Sequence, residues 1–283
     1  MFKLLLILLC GNSFAQVNVI LTNSPGGGAE ITCRQMEKYL LQEKDIKLVI
    51  LYKPGANGLI GLQELSKAPK DGTTIAYVTI GQLLEIQKTT DLQVDYVTAI
   101  NKLPMVLVTN NKTNITNYNE FVKQSKTVKP YSFGSTGPAQ SFAIKQIIDT
   151  VKPKTEMVVA PYKAGTNVIS DLIGGQIDFA YLTYPSVKEF VESKKLVILA
   201  SSVPIKDYPN LYRFDKSYKN WVDIAGYAIV LPKDTPEIYK KNWQKLVYDY
   251  VNDPVVKNQL AEEYSVPYPL GEDFLKKMIT KIK

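Results

Sequence analysis

Asn23-Ser24-Pro25-Gly26-Gly27-Gly28-Ala29-Glu30 joins the apolar run Val17-Asn18-Val19-Ile20-Leu21 to a stretch whose apolar residues recur at helical spacing from Ile31 onward. A strand, three glycines and a helix start form an order with a physical consequence. The first turn of a helix carries backbone N–H groups without intrahelical acceptors, and the helix dipole adds partial positive charge there. Glycine leaves no Cβ between those amides and an approaching ligand. The stretch therefore predicts an anion site where a buried strand gives way to a helix.

The same device recurs twice. Tyr131-Ser132-Phe133-Gly134 leads into Ser135-Thr136-Gly137-Pro138 and a helix over 139–150, with Pro138 suited to the first helical turn. A strand over 157–160 leads into Pro161-Tyr162-Lys163-Ala164-Gly165-Thr166-Asn167 and a helix to 173. In the first half, a strand at 48–51 is followed by the Gly-rich turn Lys53-Pro54-Gly55-Ala56-Asn57-Gly58 and a helix over 60–67. A tight turn, Pro69-Lys70-Asp71-Gly72, then precedes a strand over 73–79. Further strands are predicted at 96–100, 105–109, 177–183, 196–201 and 223–231, a polar stretch over 110–119, and mostly helix over 236–283.

Strands alternating with helices point to βαβ units and a largely parallel sheet, an α/β fold class. The grouping suggests two lobes, one from 16–103 and 226–283 and the other from 104–225. The chain would cross between them near 100–110 and return near 221–231. Turn–helix starts on different lobes can face each other across a cleft, the geometry of a hinged trap for an anion.

Residues 1–15 stand apart. Met1-Phe2-Lys3, an apolar run from Leu4 to Cys10, and the small-x-small ending Ser13-Phe14-Ala15 read as a secretory leader cut before Gln16. The mature protein is thus expected to be exported and periplasmic. Loss of Cys10 leaves Cys33 alone, which rules out an intrachain disulfide. Cys33 lies beside Met36 and Leu40 on the first helix and reads as a core residue. The net charge of +7 comes from lysines spread along the chain, so no nucleic-acid partner is expected.

The chain contains no histidine, which removes a Ser-His-Asp triad, a Cys-His pair and the commonest metal ligand together. No calcium-type acidic loop, dinucleotide fingerprint or P-loop is present, and no cofactor, metal or catalytic residue is expected. Glu30 has three readings: a contact to the ligand, a helix cap, or a general base. Asp171 and Asp178 read as structural, Asp171 toward a turn of backbone and Asp178 at a strand entry.

Several of these segments, in order and across the mature chain, resemble the receptor family of tripartite tricarboxylate transporters, the Bug-type periplasmic solute-binding proteins. Pro25-Gly26-Gly27 with Glu30 and Arg34 is similar to that family's opening, and Pro54-Gly55-Ala56-Asn57-Gly58 with Gly61 to its second glycine segment. Ala68-Pro69-Lys70-Asp71-Gly72-Thr73-Thr74, Pro161-Tyr162-Lys163, Gly175-Gln176-Ile177-Asp178 and Gly271-Glu272-Asp273-Phe274 are similar to later motifs. The resemblance implies a two-lobe, type II-like periplasmic binding-protein clamshell that holds a small carboxylate. It places Ser24, Gly27, Gly28 and Glu30 on one side of the ligand, with Ser135, Thr136 and Gly137 on the other and Thr183 nearby. Where the family carries Gly-Ser and a later histidine, this chain has Ala139-Gln140 and no histidine, so Gln140 or Ser141 is expected to supply the polar contact. The partners implied are a carboxylate ligand and membrane transporter subunits, with the receptor a monomer. Two other functions fit the same pocket: a ligand sensor for a signalling partner, and an α/β enzyme acting on a carboxylate.

Overall fold

A computed structural model describes residues 16–26, 28–127, 129–162, 164–218, 225–262 and 265–267. The expected leader, Gly27, Lys163 and the 271–274 motif lie outside the described residues. The chain opens with β1 (Gln16–Leu21), α1 (Gly28–Lys44), β2 (Lys47–Tyr52), α2 (Leu59–Leu65), β3 (Thr74–Thr79), α3 (Ile80–Thr89) and β4 (Val94–Lys102). It crosses into β5 (Met105–Asn110), α4 (Tyr118–Ser125), β6 (Ser132–Ser135), α5 (Pro138–Val151), β7 (Val158–Pro161), α6 (Gly165–Gly174), β8 (Phe179–Thr183), α7 (Tyr184–Glu192), β9 (Leu196–Ser201), β10 (Tyr212–Arg213) and α8 (Phe214–Ser217). It returns as β11 (Gly226–Pro232), α9 (Glu237–Asn252), α10 (Pro254–Glu262) and β12 (Val266–Pro267).

These strands make two six-stranded sheets, β2-β1-β3-β11-β4-β12 and β7-β6-β8-β5-β9-β10. The two follow one plan. A parallel trio (β2-β1-β3, β7-β6-β8) is flanked by an antiparallel strand, β11 in one sheet and β5 in the other. Each of those antiparallel strands is the first to arrive from the opposite lobe. β5 and β11 are buried along their whole length, which is why both read as apolar runs rather than alternating ones, apart from the buried Thr109 and Asn110 that end β5.

Packing follows the burial pattern. In the first lobe α9 lies on β4, Trp243 is fully buried, and its Nε1 donates to the Gly72 carbonyl at 3.0 Å. The tight turn is tied down by that bond. Cys33 is fully buried, and burial pushes its thiol up to about 12, as expected of an inert core residue. Asp178 accepts from the backbone N–H and the hydroxyl of Ser132, both at 2.9 Å, and so pins the entry to β8 against β6. Asp171 differs from expectation: its carboxylate accepts from the Tyr162 hydroxyl at 2.8 Å rather than from the backbone.

Besides the single turn of α8, three helices were not anticipated. α3 follows β3 without an intervening turn residue, and its start is marked by a capping box between Thr79 and Gln82. α4 begins inside a polar stretch, where the Asn117 side chain accepts from Glu120 N at 3.0 Å. α7 begins at the very point read as a strand end, with Pro185 in its first turn. In each case a local cap signal was present, hidden by the polarity or β-branching of its neighbours.

Candidate functional site

Strand direction decides which edges meet. β1 and β3 end together, Leu21 opposite Tyr77, and β4 runs the same way because both β3 and β4 are antiparallel to β11. β4 therefore delivers the chain to the carboxyl edge of the first sheet. Only Leu103 and Pro104 separate its end at Lys102 from Met105, which pairs with Thr183 at the carboxyl end of β8. A link this short forces the carboxyl edges of the two parallel trios to face each other. Leu103 N donates to Ala225 O at 3.2 Å and Tyr184 N to Pro104 O at 2.7 Å, so both crossings and the second lobe are tied together there. α3 packs on α5, and a single apolar cluster runs from Ala76 and Val78 through Leu83 and Leu84 to Ala143 and Ile147. The region outside the carboxyl ends of the strands is where an α/β sheet binds ligands.

On the first edge, the chain leaves β1 and turns at Gly26, whose φ of +86° suits glycine. Glu30 closes this loop on itself. One carboxylate oxygen accepts from Gly26 N at 2.7 Å, and the other from the Tyr52 hydroxyl, with Arg34 Nε 3.5 Å away. Arg34 is held in turn by Glu37 at 2.8 Å and Tyr52 at 3.2 Å. The Tyr52 hydroxyl first, then the Gly26 amide, hold the Glu30 carboxyl below its ordinary value of 4.5. Ser24 is exposed, and Gly28 is the first residue of α1, its carbonyl accepting from Thr32 Oγ1 at 3.0 Å.

A lowered carboxyl pKa fixes the sign of a pH effect. The Glu30 link is complete above about pH 5 and is lost as the pH falls below 4.5 through the folded-state value. Glu30→Gln keeps an acceptor for Gly26 but cannot titrate. The difference in Tm between wild type and Glu30→Gln is expected to be constant from pH 7 to 5 and to shrink below 4.5. A difference that grows with acid would contradict the assignment.

The second edge repeats the design. Thr136 N and Oγ1 donate to Gln140 Oε1 at 2.6 and 3.0 Å, and Gln140 Nε2 donates to the Tyr181 carbonyl. Ser135 is buried, with its hydroxyl 3.0 Å from the Gly137 carbonyl and 2.8 Å from Ser141 Oγ. Ser141 N donates to Gly137 O at 3.0 Å. Thr183, half-buried, caps α7 through its backbone without a side-chain cap bond.

Both loops are thus closed by one device, a side chain four residues on accepting the loop's N–H: Gly26 with Glu30, and Thr136 with Gln140. On the second loop Ser135, Gly137 and Ser141 form one hydrogen-bonded group and Thr136 with Gln140 another, while Ser24, Gly28 and Glu30 belong to the opposite edge. The side chains of Glu30 and Gln140 are engaged in holding their own loops. Tyr52, 22 residues from Glu30, escaped sequence reasoning because nothing local links them. Among the described residues no cluster of side chains suited to a metal ion occurs.

A sequence model described as the tripartite tricarboxylate transporter family receptor matches residues 31–281. The chain belongs to that family. The match begins one residue past Glu30. The chain is similar to Protein BugT of Bordetella pertussis, 22% identical over 265 residues, covering 88% of this chain and 79% of the relative. It is also 23% identical over 270 residues to an Agrobacterium vitis protein of the TAR-I ttuE-ttuC' intergenic region, covering 89% and 75%. Among solved structures, one titled as a periplasmic transporter aligns with a TM-score of 0.74 at 24% identity, covering 94% of this chain and 93% of the other. MatC from Rhodopseudomonas palustris, solved with bound malate, aligns with a TM-score of 0.72 at 14% identity over 94% of this chain and 97% of its own. The fold is that of the periplasmic binding proteins of this receptor family. The tripartite tricarboxylate transporter receptors are binding proteins, not enzymes. No helix among the described residues is long and apolar enough to cross a membrane.

Proposed function

We propose that this member of the receptor family captures a small carboxylate between its lobes and delivers it to the membrane subunits of a tripartite transporter. The observation that carries the reading is the pair of strand-to-helix loops, each stapled shut, on carboxyl edges that a two-residue crossing turns toward each other. Exposed N–H groups at helix starts suit a carboxylate, and each charge-assisted bond to a desolvated carboxylate is worth about 1.5–3 kcal/mol. The reading is supported by the malate bound to MatC and the adipate bound to a second Rhodopseudomonas palustris neighbour, which aligns with a TM-score of 0.74 at 17% identity.

In this reading Ser24, Gly27 and Gly28 contact the ligand from one lobe, and Ser135, Thr136, Gly137, Ser141 and Thr183 from the other. Glu30 and Gln140 act through the loops they hold. Residues 16–103 with 226–283 move as one body and 104–225 as the other, hinged at the two crossings. The leader is removed after Ala15, and the exported receptor works as a monomer. Ligand capture needs no bond to be made or broken in the ligand.

A thermal-shift panel of succinate, malate, adipate and citrate, with the matching amides as neutral controls, tests the reading. At about 100 times its Kd a true ligand stabilises by about 2.7 kcal/mol, and the amides have no effect. A panel in which no carboxylate raises the Tm, or a ligand recovered chemically changed, would overturn it.

A further inference from the structure

Gln82 holds a place that the family resemblance does not mark. Its Oε1 accepts from Thr22 Oγ1 at 3.0 Å, where the chain leaves β1, and from Thr79 N at 3.3 Å, at the end of β3. A backbone N–H can only donate, so this contact fixes which end of the amide is oxygen. The amide also lies flat against Gly58: a Cβ there would sit 3.2–3.4 Å from Cδ, Nε2 and Oε1. Gly58 is buried with a φ of +91°, so the second glycine turn is shaped to admit this side chain. Three loops of the first lobe's carboxyl edge thus converge on one carboxamide, carried by the helix that packs on α5 of the opposing lobe.

Among the described residues Nε2 makes no hydrogen bond, whereas Oε1 has two donors. The side chain is fixed through its oxygen and keeps two amide protons available. Glu30 and Gln140 are engaged by their own loops, as described above. We infer that Gln82 is a ligand-contact residue of the first lobe, its Nε2 donating to the captured carboxylate and selecting an acceptor at that point of the cleft. This rests on the carboxylate-receptor reading.

Gln82→Glu separates this role from a structural one. The carboxylate keeps an acceptor for Thr22 and Thr79, so the fold and the α3 cap are retained. In place of the donor it sets a negative charge against the ligand. By calorimetry at pH 7 with the member of the succinate, malate, adipate and citrate panel that binds wild type most tightly, affinity should fall about 100-fold with Tm in the absence of ligand preserved. It should partly recover as the pH is lowered and the introduced carboxyl gains a proton. In 15N-labelled wild type, the Gln82 side-chain amide resonance, assigned by its absence from the Gln82→Glu spectrum, should shift on ligand saturation. This second readout needs no ligand binding by the variant. Wild-type affinity within threefold in Gln82→Glu, or an unmoved amide resonance at saturation, would overturn the inference while leaving the receptor reading intact. Failure of wild type to bind any of the four acids would instead overturn the receptor reading on which the inference rests.

Discussion

Gly28→Val is expected to weaken carboxylate binding by about 100-fold, or about 2.7 kcal/mol, with little change in secondary structure. Gly28 opens α1, where the N–H groups of the first turn have no helical partners. A Cβ at this position would lie 3.0 Å from the phenolic oxygen of Tyr227 on β11. That ring is buried beside Tyr77, 5.3 Å between centroids, and Tyr77 is itself bonded to Thr32 of α1 at 2.9 Å. The phenol has little room to withdraw, so the added atoms move the loop. The two methyls of valine also crowd the amides a carboxylate would use. Loss of one or two charge-assisted bonds at about 1.5–3 kcal/mol each accounts for the size of the effect. Gly28→Ala, needing a shift of only a few tenths of an ångström, should fall between the two. Calorimetry together with circular dichroism checks the result, and an unchanged Kd in Gly28→Val would remove this helix start from the clamp.

Gly226→Ala should act on stability instead. Gly226 begins β11 at the return crossing, opposite Lys102, with a φ of +150°. A Cβ here would lie 2.1 Å from the carbonyl oxygen of Asn101, a backbone atom that cannot rotate aside. Asn101 is held on both sides of its amide, accepting from Tyr227 N at 3.1 Å and donating to Ser265 at 2.7 Å. Relief of the clash must therefore pull β11 from β4 at the crossing itself. Overpacking and backbone strain together predict a loss of about 3 kcal/mol or more, read as a fall in Tm of roughly 6–12 °C. A loss below about 1 kcal/mol would show that the strands are not this close.

Much of the local structure around the two loops was legible because helix starts and glycine turns are local. Pro138 in the first turn of α5, the turn at Gly26, the burial of Cys33 and the pinning role of Asp178 all followed from neighbours a few residues away. Glu30 shows where that reasoning stops. Its spacing from Gly26 allowed a cap, a ligand contact or a base. What that spacing could not show is Tyr52 and Arg34, which bring its second oxygen into the loop's own network. Gln140, expected as a ligand contact, is also bonded to Thr136 and to the carbonyl of Tyr181, 41 residues away. Gln82 went unnoticed because its meaning depends on Thr22, 60 residues distant.

By itself the sequence determined the alternation of strand and helix, the three strand-to-helix loops, and a chain without histidine and hence without the commonest acid–base chemistry. These depend on backbone conformation and side-chain type, which act over a few residues. The tertiary structure alone decided that the two carboxyl edges face each other and which polar groups remain available between them. Both depend on pairings such as β11 with β4, which brings Tyr227 to Asn101 across 126 residues. A long-range hydrogen bond's partner is settled by what folding brings within about 3 Å, and the stretch that carries the bond holds no record of it.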